Sequence, residues 1–250
     1  MAARQLSRVR LAVVSGYEPF GDYKGNPSAR IALALDNGLI EGIRVKGVVL
    51  PNVYDSHERL MDYVDKGRRE NRLSKEEHIV VVSGGLSSSI LKISLEAVGH
   101  NEIDSKYADA NGVLVNDKRP VVPGAVGAYR TNADLVAVLL DLGKAGVPAT
   151  ISADPGRFTC NSIAFGMWHL IAESKEKILF AFYHTGLHKG DIQGELPPSK
   201  IFHPPEWLEI GVPAMVRTLA RQADTMIEDG DWSYPIPMDI QQVPTLYYKK

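Results

Sequence analysis

The apolar residues of this chain fall into two kinds of run that alternate along it. Five runs are short and almost continuously apolar: 10–15 (RLAVVS), 43–50 (IRVKGVVL), 78–83 (HIVVVS), 149–153 (ATISA) and 177–183 (KILFAFY). Such runs have the character of strands buried on both faces. Between them, at about 28–38, 55–71, 131–146, 158–173 and 206–228, apolar residues recur every three or four positions, which predicts helices. The alternation of the two periods predicts an α/β fold, a single-domain three-layer α/β/α arrangement with a mostly parallel, mixed sheet. Residues 90–127 are broken by Gly99, Asn111, Gly112, Pro120, Pro123 and Gly124, and read as a strand followed by a long irregular excursion. From Asp229 onward prolines recur and neither period is present. The domain is therefore expected to span 1–228, with 229–250 as a C-terminal tail of undetermined conformation.

Composition narrows the function classes. At 250 residues, with 44% hydrophobic and 23% charged residues, the chain can bury a sizeable core. Its 28 basic and 30 acidic residues give a formal net charge of −2, and the basic ones are scattered, so nucleic acid is not an expected partner. No apolar run approaches the roughly 20 residues of a membrane span, and Met1 to Arg10 hold three arginines without an apolar signal core behind them. Neither a membrane nor secretion is expected. The single cysteine, Cys160, cannot form an internal disulfide, which suits a reducing compartment and a cytoplasmic location. There is no metal-ligand spacing or cofactor fingerprint, Gly84-Gly85 being too short for a phosphate loop, so no cofactor or metal is expected.

Open parallel sheets bind ligands beyond the carboxyl ends of their strands. Four segments of chemical interest follow strands in this way: Tyr17 to Asn26, Gly84-Gly85, Cys160 and His184. Cys160 comes just after the turn Asp154-Pro155-Gly156 and at the start of a predicted helix. The unpaired N–H groups there favour a thiolate and can also receive an oxyanion. Equally, a lone cysteine can be a small buried hydrophobe. Among seven histidines His184 is best placed to act as base, since it ends an apolar strand parallel to the one before Cys160. His188 is the nearby competitor. His57, His78 and His203 lie in polar contexts typical of solvated histidines, and His169 is nine residues along the helix of Cys160, too far at about 1.5 Å per residue. A histidine base works best with its second nitrogen held by a carboxylate. Glu96, in the nearly uncharged segment SLEAVGHN, suits that role, although a carboxylate on a strand can simply face water.

Several ordered segments carry a resemblance to the pyroglutamyl-peptidase I family. VVSGYEPFGDYKGNPS (13–28) resembles its opening G-F-x-P-F-G followed by N-P-S, and GVVLPNVYD (47–55) is similar to its L-P-V-x-Y segment. GGLSSSILKISLEAVGHN (84–101) is similar to its glutamate segment and ISADPGRFTCN (151–161) to its cysteine segment, while FAFYHTG (180–186) places His184 at the family's spacing after the cysteine. The likeness covers roughly residues 10–195, and LEAVGHN and GRFTC look closer to the animal-type enzymes. Three positions depart from the family: Ala97 where a basic residue is common, Leu86 where several bacterial members carry glutamine, and Thr185-Gly186 where V-P or I-P usually follows the histidine.

The resemblance implies a cysteine exopeptidase that removes N-terminal pyroglutamate from small peptides. In it Cys160 is the nucleophile, His184 the acid and base, and Glu96 the orienter of the histidine. It also implies substrate contacts from Tyr17, Phe20, Asn26, Phe158 and Thr159, with the rings of Tyr17, Phe20 and Phe158 sandwiching the flat lactam. Each has a plainer alternative: Tyr17 and Phe20 as loop anchors, Asn26 in a turn before Pro27, and Phe158 in the core. Two other functions fit the same residues, an inactive relative that binds N-terminally blocked peptides and a thiol amidohydrolase for another small amide.

Overall fold

The computed structural model describes residues 7–192 and 202–239. Its elements are, in chain order, β1 (Leu11–Tyr17), α1 (Pro27–Leu35), β2 (Leu39–Ile40), β3 (Ile43–Leu50), α2 (Ser56–Glu70), β4 (Ile79–Leu86), β5 (Ile93–Glu96), β6 (Val98–His100), β7 (Ala128–Arg130), α3 (Leu135–Lys144), β8 (Ala149–Ser152), α4 (Thr159–Ser174), β9 (Ile178–Thr185), α5 (Glu206–Asp229) and β10 (Ile236–Met238). The main sheet has the order β2-β3-β1-β4-β9-β5-β8. Its pairs β3/β1, β1/β4, β4/β9 and β5/β8 are parallel, whereas β2/β3 and β5/β9 are antiparallel.

The continuous apolar runs form strands because side chains of both parities are buried. Ala12, Val14, Val80, Val82, Leu179 and Ala181 point to one face, where they meet apolar residues of α1, α3 and α5. Leu11, Val13, Ile79, Val81, Ile178, Phe180 and Phe182 point to the other, against α2 and α4. The result is three layers around a mixed, mostly parallel sheet, as the alternation of periods predicts. Among the described residues no helix is long and apolar enough to cross a membrane.

The region 90–127 contains two strands rather than one. β5 joins the main sheet, and after Ala97 the chain enters a separate three-stranded sheet of order β10-β7-β6. β10 comes from the stretch after Asp229 in which no period was legible, and it pairs antiparallel with β7 at the edge of that small sheet. An edge position tolerates Pro237, which has no N–H to give to a ladder. Residues 240–250 of the expected tail lie outside the described residues.

Candidate active site

Alternation along the strands brings the site together. Because β5 and β9 pair with Ser94 opposite His184 and Glu96 opposite Phe182, these four residues share the sheet face on which α4 packs. Glu96 is 1% exposed and His184 7%. His184 Nδ1 lies 2.8 Å from Glu96 Oε1, close enough for the ring to donate to the carboxylate. The other ring nitrogen is then left for Cys160, whose thiol hydrogen-bonds the histidine. Cys160, His184 and Glu96 thus stand in one line of contacts. The second carboxylate oxygen, Oε2, is buried without a partner among the described residues.

Cys160 occupies the second position of α4, directly after Thr159. The N-cap of that helix is Phe158, which makes no side-chain cap bond. Asn, Asp or Ser at an N-cap typically stabilises a helix by about 1 kcal/mol over a residue that cannot accept. Here the aromatic side chain forgoes that stabilisation and leaves the N–H groups of the first turn free to face an oxyanion. Asn161, fully buried, ties the same turn down: Nδ2 donates to the carbonyls of His100 and Glu102 at 2.8 Å, and Oδ1 accepts from His100 N–H at 2.8 Å.

Under the sulfur lies Gly85, opposite His184 in the β4/β9 register. A Cβ at this glycine would fall 2.7 Å from Cys160 Sγ and 3.3 Å from His184 Cδ2. Of the two glycines read from sequence as too short for a phosphate loop, Gly85 therefore makes room for the Cys160 sulfur and Gly84 for the Tyr183 ring. Gly85→Ala is expected to push the sulfur off line and lower kcat by roughly 100-fold, since misplacement by about 1 Å costs that much. Steady-state kinetics beside an unchanged circular dichroism spectrum checks this.

Burial by itself pushes the His184 imidazole pKa down, but the Cys160 thiolate, the hydrogen bond to it and Glu96 together outweigh burial and raise it to about 10. His184 is then imidazolium at neutral pH. Stability from the charged ring is complete below about 6.5 and is lost as pH rises through about 10. Removal of the sulfur in Cys160→Ala is expected to lower the His184 midpoint, because burial then meets only Glu96. An NMR titration of the His184 ring in both proteins measures the fall, and an unchanged midpoint would refute the coupling of the ring to Cys160.

The remaining expected site residues divide. Phe158 lines a cleft of about 420 Å³ that also contains Cys160, His184 and Glu96. Phe20 packs on Phe158 with ring centroids 5.1 Å apart and planes tilted by 51°. That spacing leaves no room for a lactam between them, so the expected sandwich is corrected to one wall. Tyr17 is 1% exposed and belongs to the core, its hydroxyl donating to Thr159 O at 3.1 Å. Asn26 is also buried: Oδ1 caps α1 by accepting from Ser28 N–H, and Nδ2 donates to Glu18 O. Neither Tyr17 nor Asn26 lines the cleft, and Thr159 is enclosed behind it with its hydroxyl unpartnered among the described residues.

His57 and His203 also differ from expectation. His57 is enclosed against Gly166 of α4, while His203 accepts from Gly186 N–H and contacts Ile90 O. The cleft is also lined by hydroxyls absent from the sequence reading, those of Ser87, Ser89, Ser94 and Ser152. Their legible signal was the triplet Ser87-Ser88-Ser89 just beyond the carboxyl end of β4.

The pyroglutamyl peptidase family pattern matches residues 10–198, which is most of the chain. The chain belongs to the pyroglutamyl peptidase family. Its relatives include the pyrrolidone-carboxylate peptidase of Pyrococcus furiosus, 30% identical over 195 residues that make up 76% of this chain and 89% of that protein. The enzyme of the same name from Escherichia fergusonii is 26% identical over 215 residues, 86% of this chain and 89% of the relative. Among solved structures, pyrrolidone carboxyl peptidase from Pyrococcus furiosus superposes with a TM-score of 0.73 at 29% identity, covering 85% of this chain and 99% of that one.

Proposed function

We infer that this chain is a cysteine exopeptidase that hydrolyses the amide between an N-terminal pyroglutamate and the rest of a small peptide. The observation that carries the reading is the contact line Glu96–His184–Cys160 at the mouth of an uncapped helix. The Cys160 thiolate attacks the pyroglutamyl carbonyl, and the N–H groups of the first turn of α4 receive the oxyanion. His184 gives its Nε2 proton to the amide nitrogen as the C–N bond breaks, which frees the peptide and leaves a thioester. Neutral His184 then takes a proton from water as the hydroxyl attacks the thioester. Collapse breaks the C–S bond, releases pyroglutamate and restores the ion pair.

The lactam rests against the face of Phe158, and Ser87, Ser89 and Ser94 offer hydroxyls to its carbonyl and N–H, while the Ser152 hydroxyl is held by the backbone of Asp154. This polar wall answers the Leu86 departure, because hydroxyls stand one and three residues beyond the position where several bacterial members have an amide. The segments LEAVGHN (95–101) and GRFTC (156–160) support placing the chain nearer the animal-type branch, and the free thiol supports a reducing, cytoplasmic setting. Release of a chromogenic amine from a pyroglutamyl amide in the presence of reductant tests the reading. Turnover should be absent with an alanyl amide, and no release from the pyroglutamyl amide would end the proposal.

A further inference from the structure

A second cavity, of about 560 Å³, lies beside the loop that follows β9, lined in part by Arg30, His188, Lys189, Phe202, Pro204 and Pro205. None of these residues lines the cleft around Cys160. His188 is 5% exposed. Its Nδ1 lies 3.0 Å from Arg30 Nη2, and its side chain also accepts from the backbone N–H of Asp191. Both neighbours can only donate, so Nδ1 is the acceptor and the ring proton sits on Nε2. Burial first, and then the Arg30 guanidinium, push the His188 pKa down to about 4, which keeps the ring neutral at physiological pH.

That Nε2–H is buried and has no partner among the described residues. An unpaired buried donor costs about 1–3 kcal/mol and calls for an explanation. The Nδ1 edge being taken, Nε2 is the one ring position with bonding capacity left in a residue that lines the cavity. Arg30 is half exposed and its charge is balanced by buried Asp191, which it grips through both guanidinium nitrogens. Lys189 is exposed and adds a positive charge at the rim. Pro204 and Pro205 immediately precede α5, so the positive end of a 24-residue helix borders the same space. The carboxylate of Glu206 opposes these charges and is the one acid of that first turn near His188.

We propose that this cavity binds a carboxylate, held by His188 Nε2–H with Lys189 and Arg30 at its rim, as a second subsite of the peptidase. The role rests on the peptidase reading, whereas the binding itself does not. Two sources share the chemistry: the C-terminal carboxylate of a short pyroglutamyl peptide, or a separate small acid. His188 is four residues from His184, no more than about 14 Å along extended chain, a span that three or four substrate residues cover.

The native protein is titrated with N-acetylalanine and with N-acetylalanine amide while the His188 imidazole and Trp207 indole resonances are followed. Trp207 reports because its ring stands 4.6 Å from His203, which also lines the cavity. The acid should shift both signals saturably and the amide neither. His188→Phe should weaken binding at least tenfold by removing a hydrogen bond to a charged group. Lys189→Glu, at an exposed position that does not threaten folding, should weaken it about threefold.

In parallel, kcat/KM is measured for pyroglutamyl-trialanine and its amide, whose length covers that span. A fall of the acid-to-amide ratio by tenfold in His188→Phe assigns the site to the substrate's own carboxylate. Saturable binding with an unchanged ratio assigns it to a separate acid. Absence of saturable binding together with an unchanged ratio overturns the proposal. Failure to cleave any pyroglutamyl substrate would instead overturn the peptidase reading, and the titration alone would then decide the subsite.

Discussion

The Cys160→Ala protein is expected to fold like the native one and to lose turnover by roughly 10⁴-fold or more, the scale on which removal of a covalent nucleophile acts. The side chain is small and partly exposed, so its truncation opens little space in the core. Because the chain has one cysteine, stoichiometric alkylation by iodoacetamide should abolish activity to the same degree, and mass spectrometry should find a single adduct. Substantial activity in the alanine protein would remove the covalent mechanism altogether.

A nearly equal loss is expected from His184→Ala. In the proposed mechanism the histidine both stabilises the sulfur and protonates the leaving amine, and residues that act as a unit lose most of their joint effect when one is removed. Cys160→Ala combined with His184→Ala should therefore be little worse than either alone. Glu96→Gln should cost less, about 10- to 100-fold, since an amide oxygen can still accept from Nδ1–H across the 2.8 Å contact. His188→Ala should cost little on a pyroglutamyl amide with an uncharged leaving group, because that ring lies outside the cleft. An indispensable His188 beside a dispensable His184 would reverse the assignment of the base.

The contact line of Cys160, His184 and Glu96 was legible in sequence because its members sit where two simple rules meet. Strand period placed Cys160 after one strand and His184 at the end of another, and the nearly uncharged surroundings of Glu96 in SLEAVGHN pointed to a carboxylate with a partner. What the sequence hid depends on distance in three dimensions. Tyr17 and Asn26 lie in a loop motif that looks ligand-facing, yet Tyr17 is the last residue of β1 and Asn26 is consumed by capping α1. Gly85 carries no local sign that a sulfur lies above it, since the thiol comes from a helix 75 positions later.

The short strands escaped for another reason. β6, β7 and β10 have three residues each, with Gly99 inside one and Pro237 inside another, too little for a period of two to register. The buried histidines escaped because polar neighbours in sequence, such as Ser56 and Glu58 around His57, do not reveal the helix that covers the ring.

The central claim is recognition of pyroglutamate, and proline is its sharpest control because the two rings are nearly the same size. A single apolar wall such as Phe158 separates them by only about 1–3 kcal/mol. The serine wall has to do more. Proline lacks the lactam carbonyl and brings a charged amine, so it would leave the hydroxyls of Ser87, Ser89 and Ser94 without their acceptor and force an ammonium against Phe158. Sites built to bond a missing group reject its analogue by roughly 10⁴-fold or more. With matched pyroglutamyl and prolyl amides, a kcat/KM ratio of about 10⁴ or above is the predicted result, and a ratio near one would contradict the account.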